Sequence, residues 1–164
     1  MSELVVLVVE DEPEVRAAIV RDLEAFAGTI RIDESEDVAD ALAALEECEV
    51  AGDRVGLIVA DHRLPGGESG VDLLVAINDD PARHTIRTML VTGQAGHQDT
   101  IRAINEAGLD HYFAKPWDPD ALAAVAKDLL TSFVIESDLD PLRYARELDG
   151  PRLMAAYSDR GRAE

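Results

Sequence analysis

Lysine is nearly missing from this 164-residue chain: two residues, Lys115 and Lys127, stand against 34 aspartates and glutamates, and the formal net charge is −19. Nucleic-acid affinity rests on Lys and Arg neutralising phosphates, so direct binding of DNA or RNA by this chain is not expected. Cysteine occurs once, at Cys48, which rules out an intrachain disulfide and fits a reducing compartment. Cys48 sits in a helical pattern and reads as a small packed hydrophobe rather than a reactive thiol. Long apolar runs are also lacking. None approaches the ~18 residues that would span a bilayer. The opening MSELVVLVVEDE has neither the basic start nor the apolar stretch of a signal peptide. A soluble, cytoplasmic protein with no membrane partner is expected. The four histidines, His62, His84, His97 and His111, show no metal-ligand spacing, and no GxxxxGK[ST] phosphate loop is present.

What is present is a core. Apolar residues make up 47% of the chain, enough for one domain with a short extension. Residues 1–130 carry 27 acidic and 10 basic groups, against 7 and 5 in residues 131–164, so the acidity belongs to the main domain. Leu4–Val9 is a valine-rich run that suits a strand buried on both faces. Pro13 then fits the first turn of a helix, with Val15, Ala18, Ile19, Leu23 and Phe26 at helical spacing and Gly28 as its stop. The cycle repeats. Strands are expected at Thr29–Asp33, Gly56–Ala60, Thr88–Val91 and Asp110–Ala114, and helices at Val38–Leu45, Val71–Ile77, Thr100–Ala107 and Ala121–Phe133. Alternation of this kind makes βαβ units and a parallel sheet covered by helices on both faces. A boundary near residue 133 separates a domain at 1–133 from an extension at 134–164. The extension has helix candidates at Leu142–Leu148 and Arg152–Tyr157, split by Gly150-Pro151.

The polar residues that break the apolar pattern fall at strand ends. The first strand ends in Glu10 and Asp11, the third in Asp61, the fourth in Thr92 and the fifth in Lys115, before Pro116. In an open α/β sheet those ends meet where ligands bind. Three carboxylates brought together repel one another unless a cation neutralises them. A hard divalent ion such as Mg²⁺, which takes a few carboxylates and completes its shell with water and phosphate oxygens, is the natural partner. A lysine ammonium and a threonine hydroxyl beside it suit phosphate, and an aspartate can serve as the nucleophile.

In their order and spacing, LVVEDE, LIVADHRLPGGESG, MLVTG and YFAKPW make residues 4–130 resemble a response-regulator receiver domain. The resemblance implies a flavodoxin-like doubly wound (βα)5 fold with strand order 2-1-3-4-5. It implies that Asp61 is the phosphoacceptor and that Mg²⁺ is held by Asp11, Asp61, the Arg63 carbonyl and Glu10, the last through water. Thr92 and Lys115 would hold the phosphate, and Tyr112 would be the ring that moves inward when Thr92 does. Pro65 and Gly70 match the loop, and Pro116 the peptide that is typically cis. Glu10 stands where aspartate is common and Trp117 where phenylalanine is, while Arg63 and Gln94 occupy positions that tune phosphate loss. The implied partner is a sensor histidine kinase or a histidine phosphotransfer protein, and the implied role a phosphoacceptor switch rather than a turnover enzyme. Two rival readings stay open: a degenerate receiver that only binds protein, and a phosphatase on the same layered fold. The extension is expected to lengthen the last helix, pack back on the domain, make a homodimer contact or lead towards an output domain.

Overall fold

The computed structural model describes residues 2–93 and 97–163. Five parallel strands form one sheet in the order β2-β1-β3-β4-β5: β1 Leu4–Val9, β2 Ile30–Ser35, β3 Arg54–Ala60, β4 Arg87–Thr92 and β5 His111–Ala114. Six helices accompany them: α1 Pro13–Asp22, α2 Val38–Ala51, α3 Gly70–Asp79, α4 His97–Asn105, α5 Pro119–Glu136 and α6 Gly150–Ala163. The expected topology and doubly wound architecture are those observed.

Strand alternation divides the core in two. Leu4, Val6 and Val8 of β1 join Leu57, Val59, Met89 and Val91 against α1 and α5. Val5, Leu7 and Val9 join Val55, Ile58, Ala60 and Leu90 against α2 and α3. Every residue of β1 is buried, as its unbroken apolar run requires.

Several boundaries differ from the sequence reading. β2 continues to Ser35 because Glu34 and Ser35 pair with Val8 and Val9 of β1, and backbone pairing on an edge strand tolerates polar side chains. β3 starts at Arg54, before Gly56. There the register to β1 steps from Val5↔Val55 to Val6↔Leu57 and skips the glycine. A Cβ on Gly56 would stand 2.8 Å from Leu4 and 2.9 Å from Phe133, so any larger residue there must push one of these buried side chains aside. α2 runs on to Ala51, and α4 starts earlier and ends earlier than expected, at His97 and Asn105.

The extension departs most. α5 continues through residue 133 to Glu136, since Val134 remains on its buried face. In place of a helix over 142–148 there is a single 3₁₀ turn, Pro141–Tyr144. Gly150-Pro151 does not separate two helices but lies in the first turn of α6, where proline's missing N–H costs nothing. Asp149 precedes it, its carboxylate accepting from the Arg152 N–H at 3.2 Å. Leu139, Tyr144, Leu148 and Leu153 all enter the core on the α1–α5 side, so the extension shares the hydrophobic interior of the sheet.

Candidate functional site

The strand ladders run one residue beyond their ends, and this aims the polar side chains. The N–H of Glu10 donates to the Ser35 carbonyl at 3.0 Å, that of Asp61 to the Val9 carbonyl at 3.0 Å, and that of Lys115 to the Thr92 carbonyl at 3.2 Å. Glu10, Asp61 and Thr92 are thereby buried at the carboxyl edge of the sheet, while Asp11 is exposed at its rim. Gly70 closes the loop after β3. Its N–H donates to the His62 carbonyl at 2.8 Å, and a Cβ there would lie 1.9 Å from the Asp61 carbonyl oxygen. No other residue fits without moving the backbone that carries Asp61.

Lys115 sits between two acids. Its Nζ donates to Glu10 Oε1 at 2.6 Å and to Asp61 Oδ2 at 2.7 Å. Asp61 Oδ1 accepts from the Arg63 N–H at 3.3 Å, and its carboxylate also accepts a side-chain hydrogen bond from Thr92. Glu10 Oε2 accepts from the Asp11 N–H at 3.0 Å, and the Glu10 carbonyl from Arg16 Nη1 at 2.9 Å. The Lys115–Pro116 peptide is cis.

Burial and charge divide the acids. Burial pushes Glu10 up to about 7. Hydrogen bonding to Lys115 opposes this only in part, and the Asp61 charge adds to it. Burial also works against an ionised Asp61, yet the hydrogen bonds from Lys115 and Thr92 outweigh it and hold Asp61 below the usual aspartate value. Desolvation opposes a charged Lys115, and the Asp61 and Glu10 partners overcome it, so the ammonium is held more firmly than in water. Asp61 is therefore held toward its ionised form, the form a nucleophile needs.

One ligand atom from each of Glu10, Asp11 and Asp61 lies within 4.8 Å of the others. An all-oxygen carboxylate set with an exposed member open to water suits Mg²⁺ and does not suit a soft metal. The donor set therefore fits the implied cation. Arg63 is exposed beside this group. Tyr112 is half-buried on β5, opposite Leu90, and packs with the α2–α3 side of the core, while Ala114 stands opposite Thr92. Gln94 lies outside the described residues.

Sequence reading missed several contacts. His62 Nε2 meets Asp99 Oδ2 of α4 at 3.2 Å. Arg102 of α4 holds Asp72 Oδ1 at 2.7 Å, and Trp117 Nε1 donates to Asp22 Oδ2 of α1 at 2.7 Å. Only the capping box at Ser69 and Asp72 left a local trace, Ser followed by an acid three residues on. The others join elements far apart in sequence.

An open doubly wound sheet with three acids, a threonine and a lysine converging at its carboxyl edge places the candidate site where α/β proteins bind ligands, and the sequence carries no GxxxxGK[ST] nucleotide loop. The comparisons narrow the class. The family model for the response regulator receiver domain matches residues 6–127, and the chain belongs to that family. It is 32% identical over 138 residues to the hydrogenase transcriptional regulatory protein HoxA of Bradyrhizobium diazoefficiens, covering 82% of this chain and 26% of that one. It is 30% identical over 125 residues to the phosphate regulon transcriptional regulatory protein PhoB of Escherichia coli, covering 76% of this chain and 51% of that protein. The chain thus spans between about a quarter and a half of the curated relatives it matches. Among solved structures, a CheY-like receiver domain protein from Methanospirillum hungatei superposes with a TM-score of 0.69 at 24% identity, covering 83% of this chain and all of that one. A signal receiver domain of an HD domain-containing protein from Pseudomonas fluorescens gives 0.70 at 23%, covering 82% of this chain and 99% of that one. These likenesses are of fold. No helix among the described residues is long and apolar enough to cross a membrane.

Proposed function

We propose that this chain is a signalling switch that accepts a phosphoryl group on Asp61 from a phosphohistidine of a sensor histidine kinase or a histidine phosphotransfer protein. The observation that carries the reading is Lys115 Nζ bonded at once to Glu10 and Asp61, 2.6 and 2.7 Å away, beside a third carboxylate. An Asp61 oxygen attacks phosphorus, and the phosphorus–nitrogen bond of the donor breaks. The electron pair stays on the imidazole nitrogen, which takes a proton from solvent. Phosphoryl transfer asks mainly for positioning and charge stabilisation, and Lys115, free to leave Glu10 for the incoming oxygens, gives both. Asp11, Asp61 and the Arg63 carbonyl would hold Mg²⁺ directly and Glu10 through water. A bound Mg²⁺ supplies neutralisation of the negative charge that gathers on the phosphoryl oxygens.

The new phosphate offers the Thr92 hydroxyl a stronger acceptor than the carboxylate it now bonds. Thr92 is drawn toward it, the Tyr112 ring moves inward, and the surface of α4, β5 and α5 changes as a shift between two populations. The test is intact-protein mass after incubation with a small phosphodonor and Mg²⁺. One phosphoryl group is expected on the wild type, none on Asp61→Asn, and none on the wild type with the metal chelated. No gain on the wild type leaves a protein-binding module that has kept the fold. Steady turnover of phosphate esters with no protein-bound phosphate makes it a phosphatase.

A further inference from the structure

The turn between β1 and α1 carries two of the three clustered acids, and little apolar packing holds it. Asp11, Glu12, Pro13 and Glu14 are all exposed. Glu12, the residue before α1, makes no side-chain cap bond. Polar contacts do the holding. Arg16, one turn into α1 and 16% exposed, donates from Nη1 to the Glu10 carbonyl at 2.9 Å and from Nε to Glu34 Oε1 at 3.2 Å.

These contacts pin one peptide plane on both sides. The Glu10 N–H is fixed to the Ser35 carbonyl at 3.0 Å. The next peptide, Glu10–Asp11, has its oxygen bonded to Arg16, and its N–H donates to Glu10 Oε2 at 3.0 Å. The orientation of that plane sets where Asp11 points, because a residue has only two soft backbone dihedrals. A closed circuit results. Glu10 joins Ser35 by backbone, Ser35 adjoins Glu34 in the chain, Glu34 holds Arg16, and Arg16 returns to Glu10. The guanidinium is planar with its donors at fixed angles, so Nε and Nη1 together fix the direction of the carbonyl. Its charge works the other way. A cation beside the acids repels a dication, so by electrostatics alone Arg16 is a hindrance to metal binding.

We infer that Arg16, steadied by Glu34, is a positioning residue that aims Asp11 at the cation site and so gives the site its preference for Mg²⁺ over Ca²⁺. This rests on the receiver reading and adds to it what orients the acid pair. Mg²⁺ demands near-ideal octahedral geometry, whereas Ca²⁺ accepts a larger and looser shell. A misaimed carboxylate therefore costs Mg²⁺ more than it costs Ca²⁺.

Mg²⁺ and Ca²⁺ are titrated separately into the full chain by calorimetry at fixed ionic strength, with urea unfolding as the check on folding. Arg16→Ala is expected to bind Mg²⁺ about tenfold more weakly, the loss that follows removal of a group orienting a metal ligand. Ca²⁺ should lose less, so the ratio of the two affinities should fall. Arg16→Lys keeps the charge but not the planar fork, and its ratio should fall as well. Glu34→Ala should lower the ratio by a smaller factor, whereas Glu34→Gln, which still accepts from Nε, should stay near the wild type. Tighter binding of both ions in Arg16→Ala would show that only its charge matters and overturn the proposal. So would equal losses for the two ions, or an Arg16→Lys that matches the wild type. Glu34 is exposed on the edge strand, and its variants decide the matter if Arg16→Ala folds poorly. A wild type that binds no Mg²⁺ sinks the receiver reading itself, a result distinct from any difference between variants.

Discussion

Arg160 is the sharpest probe of whether the extension belongs to the domain. From α6 its guanidinium reaches the open carbonyl end of α5. Nη1 donates to Leu139 O at 2.6 Å, and Nη2 approaches Ser137 O at 2.7 Å, Ile135 O at 2.9 Å and Val134 O at 3.1 Å. Nη2 has two hydrogens, so two of its three carbonyls are satisfied at a time and the side chain makes about three bonds in all. A hydrogen bond to a charged donor contributes about 1.5–3 kcal/mol when enclosed. Arg160 is half-buried and water replaces part of what is lost, so each is worth nearer ~1 kcal/mol, about 3 kcal/mol for the set. The positive charge at a helix carboxyl end adds a few tenths more. For a chain of this length the loss lowers Tm by about 6–12 °C. Arg160→Ala should therefore melt that much earlier in a single transition, with an unchanged denaturant slope. Arg160→Lys, which reaches fewer carbonyls, should fall between. The assay is thermal and urea unfolding followed by far-UV circular dichroism. A Tm within about 1 °C of the wild type, or a separate early transition of the extension alone, would refute the argument that α6 and the sheet share one cooperative core.

Gly70→Ala places a Cβ 1.9 Å from the Asp61 carbonyl. It should cost about 3 kcal/mol in urea unfolding and remove phosphoryl uptake, whereas Gly161→Ala, which meets nothing within 4 Å, should change neither. Asp72 is held below its ordinary 3.8, chiefly by the Ser69 N–H and then by Arg102. Because its pKa is lower in the folded chain, its stabilising effect is complete above 3.8 and fades as pH falls through the folded value. The stability gap between wild type and Asp72→Asn should therefore close on acidification, and a gap that stays constant down to acid unfolding would contradict it. Burial, with the nearby Asp33 charge, raises the Cys48 thiol above its usual value. Native protein should resist alkylation at mildly alkaline pH and react at the unfolding transition, as read by mass.

Legibility followed locality. β1 was readable to the residue because a strand buried on both faces admits only apolar side chains, and Pro13 marked the next helix. β3 was read short because Gly56, a strand-weakening residue by propensity, sits where Leu4 and Phe133 crowd the strand, a fact of packing alone. The four strand-end positions were readable since polar residues interrupt apolar runs there. The structure adds what divides them: Lys115 bridges Glu10 and Asp61, both buried, and the further hydrogen bonds from Thr92 and the Arg63 N–H to Asp61 help hold it low while Glu10 is raised. The extension was the least legible. Leu142, Ala145 and Leu148 have helical spacing, but the turn at Pro141–Tyr144 is fixed by contacts from elsewhere, among them Arg143 Nη1 on the Ser2 carbonyl.

The charge balance closes the argument about Lys115. With two lysines in the chain and Lys127 exposed on α5, no second ammonium stands near the pocket to replace it. Several arginines are committed to other acids: Arg31 to Glu3, Asp33 and Asp53, and Arg102 to Asp72 and Glu106, while Arg16 pairs with Glu34 and holds the Glu10 carbonyl. A surface this acidic draws dications toward the acids of the pocket and turns anions away. On the proposed reading, an anionic phosphoryl donor meets favourable charge at Lys115, between Glu10 and Asp61, and at the exposed Arg63 beside them. On the same reading that scarcity favours Asp61, which Lys115 and Thr92 hold below the usual aspartate value, as the carboxylate that takes the phosphoryl group.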